Sequence, residues 1–364
     1  MGKPLILQEV RAMRNARIVL SRTPRSSFSL YVLVAKLSAC AIMMAGISDS
    51  AIADGHHTKV MGPDACGECH NREIESWKLS RHYRAFREMP RKPEARQIAD
   101  ALGIRRIKKD KLCQSCHFTT TENRGRTKAV ASISCESCHG PGEDWIKTHS
   151  SFSGKGSKEA ESKAEAEERW KLAVAAGMIR RDAFYKLAKN CYSCHVVPNE
   201  KLVNVGGHPP GSDFELVSWS QGEVRHNLWY SKGKSNTAAS EKQKRMLFLI
   251  GMAVEIETGL RAIAVATVAK SYAIYMAHRV NRARNMMAKV AAAMPNVPLL
   301  AEIVRHSHSA GLKLNNKKSL SEAADAVAKV TQQMVAKYDG SQFAALDRFI
   351  PKANTYVGKA STGQ

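Results

Sequence analysis

Eight of the nine cysteines in this chain fall into four C-x-x-C pairs: Cys66 and Cys69, Cys113 and Cys116, Cys135 and Cys138, Cys191 and Cys194. A histidine follows each pair at once, at His70, His117, His139 and His195. Two thiols three residues apart can form thioethers to the two vinyl groups of one haem, while the adjacent imidazole reaches the iron from the same side. Disulfides would not require a histidine after every pair. Zinc would want two pairs converging on one four-ligand site, and it gives no reason for four identical copies. The spacing therefore predicts four covalently bound haem c groups, tethered by the eight cysteines, with the four motif histidines as proximal iron ligands.

The ligand on the other face of each iron decides what it can do. A second imidazole makes a six-coordinate, low-spin centre suited to electron transfer, whereas an open face leaves room for a small substrate. Nine histidines lie outside the motifs: His56, His57, His82, His149, His208, His226, His278, His306 and His308. His82 sits in a stretch, 72–86, that reads as helical. A helix would hold it roughly 18 Å from His70 along the axis, so it is expected to serve a different haem. His82, His149, His208 and His226 are the candidate distal ligands, set against the ordinary surface or core role of a lone histidine. His278, His306 and His308 fall in a helical tail and read as non-ligands, and His56 and His57 as part of a loose N-terminal end.

The chain of 364 residues, 44% hydrophobic and 24% charged with 12 prolines, is neither disordered nor collagen-like. It is long enough for two domains. Residues 1–53 read as a signal peptide: a basic lead, an apolar run from Leu37 to Ile47 and Ala51-Ile52-Ala53 before the cleavage point. A lipoprotein signal at Cys40 is the competing reading. Export to the periplasm argues against nucleic acid as the partner of a chain with net charge +23.

The expected fold is mainly α, with little regular β structure. Residues 54–235 form a tetrahaem cytochrome c domain, and residues 236–364 an α-helical bundle or tail. Gly140-Pro141-Gly142, Gly206-Gly207 and Pro209-Pro210-Gly211 punctuate the first part. Residues 157–189 predict one or two helices ending just before Cys191. In the second part, Leu320, Ala323, Val327, Val330, Met334 and Tyr338 line one helix face, with a capping box from Ser319 to Glu322. The apolar run 246–269 contains Glu255, Glu257 and Arg261, which favours a buried bundle helix over a membrane span.

Charge divides unevenly. Residues 236–364 hold 18 basic and eight acidic residues. Ionised haem propionates would bring the haem region near neutrality, so the tail carries the surviving basicity and is expected to dock on an acidic redox partner or anionic lipid. A solvated bundle surface is the competing reading. The oligomeric state is left open.

The first motif followed by Ser76-Trp77 and His82, the second at Cys113, the string Cys135-Glu136-Ser137-Cys138-His139-Gly140-Pro141-Gly142 with His149, and the last at Cys191 together resemble the tetrahaem cytochrome c-554 family. That family is related to the hydroxylamine oxidoreductase and multihaem nitrite reductase group, and the resemblance covers about residues 60–200. It implies a helical protein with closely packed haem pairs, and distal roles for His149 on the first haem and His82 on the fourth. It also implies a second haem without a distal histidine, whereas His208 and His226 are both available here for the second and third. All four motifs end in histidine, unlike the lysine at the active haem of nitrite-reducing relatives. The leading expectation is an electron carrier of the periplasm; the alternative is an enzyme acting on nitric oxide, hydroxylamine or a similar species at an open second haem. Residues 236–364 have no counterpart in the resemblance.

Overall fold

The structure, a computed structural model, describes residues 57–362. The signal segment 1–53, with Cys40 and Ala53, and His56 lie outside the described residues.

The fold is mainly α. Its first part is a string of short helices: α1 (Pro63–Gly67), α2 (Asn71–Lys78), α3 (Arg81–Glu88), α4 (Pro93–Ala101) and α5 (Lys111–His117). A hairpin, β1 (Thr119–Asn123) and β2 (Arg126–Ala131), leads into α6 (Cys135–His139), α7 (Ile146–Ser150), α8 (Lys163–Ala175), α9 (Phe184–His195), α10 (Glu200–Asn204) and α11 (Leu216–Ser220). The stretch 72–86 is two helices rather than the single one expected. The Ser80 hydroxyl accepts from the Tyr83 N–H at 3.2 Å and starts α3 afresh. α9 does not stop before Cys191 as expected but runs through the motif to His195. The hairpin turns at Arg124 and Gly125, both with positive φ (50° and 71°), the geometry whose twist matches its strands.

The second part holds long helices: α12 (Glu241–Ala264), α13 (Ser271–Ala293), α14 (Pro298–His308) and α15 (Lys317–Lys337). Ser240 and Gln243 form a capping box at the start of α12. The box expected at Ser319 does not form, because Asn315 (φ 57°) turns the chain into α15 three residues earlier and leaves Ser319 inside the helix. The apolar face of α15 is buried through Leu320, Ala323, Val327, Val330 and Met334. α12 is buried along most of its length, and its charges are partnered. Glu257, fully buried, accepts from Lys189 Nζ at 2.7 Å, Tyr185 Oη at 2.9 Å and Arg261 Nε at 3.1 Å. Among the described residues no helix is long and apolar enough to cross a membrane.

One core joins the two parts. Ala188, Tyr192 and Val196 of the α9 region belong to the same apolar cluster as Leu249, Ile250, Met276, Leu300 and Val327 of the long helices. The described residues, 57–362, pack as one compact unit. A smaller cluster of Ala99, Ile107 and Phe118 supports α4, α5 and the hairpin. What positions the four motifs is therefore local turns on one side and the α9 contact with α12 on the other.

Candidate functional site

Each C-x-x-C-H motif sits on or beside a helical turn. Residues i, i+3 and i+4 share one helix face, so both thiols and the imidazole of a motif point the same way. α5 and α6 consist of little else, α9 carries the fourth motif at its C-terminal end, and the first motif runs from α1 to His70 at the start of α2.

The structure brings the eight candidate ligands together two by two. Ring centroids of His70 and His149 lie 6.1 Å apart, His117 and His208 6.2 Å, His139 and His226 6.1 Å, and His195 and His82 6.4 Å. Every pair joins one motif histidine to one from outside the motifs. An imidazole nitrogen binds a metal at about 2 Å, so two rings on opposite faces of one iron have centres about 6 Å apart. A bare metal ion would need three or four protein ligands. Among the described residues no three or more His, Cys, Asp or Glu gather that way, whereas iron held by four porphyrin nitrogens needs only two more. The residues present fit haem.

Nδ1 is engaged in five of the eight rings, whereas that of His149 is buried without a hydrogen-bond partner. His139 Nδ1 donates to the Ile179 carbonyl at 2.8 Å, His208 Nδ1 to Pro209 at 2.7 Å and His226 Nδ1 to Val224 at 2.6 Å. His195 Nδ1 lies 2.8 Å from Ser212 Oγ, and His70 Nδ1 lies 3.6 Å from the Glu73 carboxylate. Such contacts fix the tautomer and leave Nε2 as the ligand. Burial, reinforced by neighbouring histidines, pushes His117, His149 and His195 down to about 4. His82 and His139 are lowered chiefly by burial too. All five are neutral at pH 7, the form that ligates metal.

The four partner histidines from outside the motifs come from four separate elements. His82 lies on α3 just after the Ser80 cap. His149 lies on α7, where Arg169 of α8 donates Nη1 to its carbonyl at 2.6 Å and grips Glu161 with two further bonds of 2.6 Å. Trp145 and Trp170 flank its ring at 5.8 and 5.1 Å. His208 leaves α10 through Gly207, whose φ of 72° makes the reversal, and His226 is in the loop after α11. His208 faces His117 rather than leaving the second motif without a partner. His278, His306 and His308 lie on α13 and α14 and belong to none of the four pairs.

Polar contacts tie all four motifs together, including the second to the third, where Thr119 Oγ1, two residues past His117, lies 2.9 Å from Ser137 Oγ. The buried Glu136 carboxylate, within the third motif, accepts from the Met61 N–H at 2.9 Å, Gly62 at 2.8 Å and Gly142 at 2.7 Å, strapping the chain before the first motif to the third. Asn190 Nδ2 donates to the Cys138 carbonyl at 3.0 Å, tying the third to the fourth. Cys194 Sγ approaches the Ser115 carbonyl at 3.9 Å, bringing the fourth to the second. The sequence reading names Glu136 only as part of a motif and overlooks Ser212, Arg169 and Trp229, whose ring lies 4.6 Å from His70. None of these carries a spacing signal, since each acts across a long stretch of chain or through a loop.

Comparison with known proteins adds an independent observation. Residues 65–140 match the family described as cytochrome c554 and c-prime. Cytochrome c-554 of Nitrosomonas europaea is 24% identical over 143 residues, covering 37% of this chain and 57% of that protein. The match thus spans little more than half the length of that curated relative. No solved structure matches.

Proposed function

We propose that this chain, whose residues 65–140 match the cytochrome c554 and c-prime family, is a periplasmic tetrahaem electron carrier with every iron held between two histidines. The observation that carries this reading is the set of four histidine pairs at 6.1 to 6.4 Å, each uniting a motif histidine with a distant one. When bound, haem supplies reversible one-electron chemistry at iron. The chain's residues do the rest. The cysteines would tether it, and His70, His117, His139 and His195, paired in the same order with His149, His208, His226 and His82, would hold the iron.

With both faces taken, there is no ready place for a small substrate. The pairing of His117 with His208 is what favours a carrier over an enzyme acting on nitric oxide or hydroxylamine at the second haem. The contacts that tie the four motifs together make the group a conduit, at whose edges redox partner proteins would exchange electrons. Excess basic charge on residues 236–364 suits an acidic partner or an anionic membrane surface. Mature protein recovered from the periplasm should carry four haem masses by intact mass spectrometry and bind neither cyanide nor nitric oxide readily. His208→Ala should open one site to cyanide. Fewer than four haems, or rapid cyanide binding by the unaltered protein, would overturn the proposal.

A further inference from the structure

Of the four motif histidines, His195 has a contact that reaches into the long C-terminal helices. Its Nδ1 lies 2.8 Å from Ser212 Oγ, and the Ser212 N–H donates to the His195 carbonyl at 3.2 Å, so residue 212 is locked to the motif at two points. Arg279 of α13 donates Nη1 to the Ser212 carbonyl at 2.7 Å. That guanidinium is 1% exposed, among the largest fully buried side chains, and its Nε lies 2.8 Å from Glu255 of α12. Gly211 leaves the space: a Cβ there would come within 2.8 Å of the His195 carbonyl and 3.1 Å of Arg279 Nη1.

A buried charge is costly unless its position does something for the fold or the site. Here the cation stands behind a serine whose hydroxyl is the acceptor for the ligand's ring N–H. By contrast, His70 faces a carboxylate and His139 a backbone carbonyl. A carboxylate acceptor makes an imidazole more electron-rich, whereas a neutral hydroxyl backed by a cation does not. Ferric iron carries one more positive charge than ferrous iron, so a fixed cation at short range in a medium of low dielectric favours the reduced state.

We propose that Arg279, held by Glu255 and acting through Ser212, is a positioning residue for His195, by which helices α12 and α13 raise the reduction potential of the fourth haem. The proposal rests on the tetrahaem reading above and gives the segment 236–364, which lies outside the family match, a role inside the conduit. The step tuned is one electron onto ferric iron to give ferrous iron, with no bond broken; in the test dithionite supplies the electron.

The test is a potentiometric titration of the full-length, haem-loaded protein, followed optically and by EPR. Arg279→Gln should move one of four reduction steps to lower potential, by at least tenfold in the ferric/ferrous equilibrium, about 59 mV for one electron. Glu255→Gln should move the same step upward, because it leaves the guanidinium unopposed. His82→Met, which changes the ligand paired with His195, identifies that step as the fourth haem. General loosening of the fold would move several steps, or move both variants the same way, and either result overturns the inference. So does an unmoved set of potentials in protein that still carries four haems. If Arg279→Gln fails to accumulate, the upward shift of Glu255→Gln alone decides. A haem count below four in the unaltered protein would instead overturn the tetrahaem reading, so the two failures are distinguishable.

Discussion

The two parts of this chain reach order by different means. Residues 241–337 form helices of 24, 23, 11 and 21 residues that bury Met246, Ile256, Leu260, Met276 and Val327 against one another. Residues 57–235 contain no helix longer than 13 residues, and apart from α9 to α11, which join the large core, their own apolar cluster is small. Helices shorter than about 12–15 residues are marginal by themselves in water. The long helices can therefore be ordered by apolar burial, whereas the short ones depend on tethers, caps and straps such as Ser80, Glu136 and Arg169. Where burial organises the chain, long-range order follows from pattern. Where a cofactor and polar contacts organise it, order follows from single residues.

The largest test of that contrast removes the tethers. Replacing all eight motif cysteines with alanine should abolish hydrogen-exchange protection across most of residues 57–183 while α12 and α15 stay protected. Uniform loss over the chain would show that the two parts are not separable in this way. Next in size is a core truncation. Leu249→Ala, at a fully buried position of α12, should cost about 2–5 kcal/mol in chemical denaturation. Leu79→Ala, at an exposed position in the haem part, should stay within about 0.5 kcal/mol.

The straps predict smaller effects. Glu136→Gln keeps the shape of the side chain but removes the charge that three backbone N–H groups share, and it should cost about 1.5–3 kcal/mol, read as a fall in thermal midpoint. The Arg169 contact should show in acid. Arg169 holds the Glu161 carboxyl down to about 2, with a further lowering contact from Ser153, against an ordinary value of 4.5. A carboxyl lowered on folding contributes stability that is fully present above about pH 4.5 and is lost as pH falls toward 2. Glu161→Gln should therefore flatten the stability profile between those limits and leave it unchanged near neutrality in slope. An unchanged acid slope would show that this pair does not stabilise α7, which carries His149.

Sequence spacing goes far at the motifs and stops short of the space between them. C-x-x-C-H is a local pattern on a single helical turn, so the tethers and proximal ligands are readable one motif at a time. The proposed distal ligands show only as contacts between histidines from 79 to 113 residues apart in the chain, as in His70 with His149 or His195 with His82. Composition can nominate such residues but cannot pair them. Residues 72–86 show the same limit at smaller scale: the apolar spacing suits one helix, yet one serine hydroxyl restarts it. The early entry of α15 at Asn315 and Asn316 likewise outweighs the capping box that Ser319 and Glu322 suggest. Arg279 was legible only as one basic residue among many, because its significance comes from the loop at Ser212 that it reaches.

The central claim is that four irons are each held between two imidazoles, and near-infrared magnetic circular dichroism of the ferric protein reads axial ligand sets directly. The account predicts bis-histidine, low-spin bands whose intensity corresponds to four haems per chain. A high-spin component, or a band from any other ligand pair at the second haem, would contradict it.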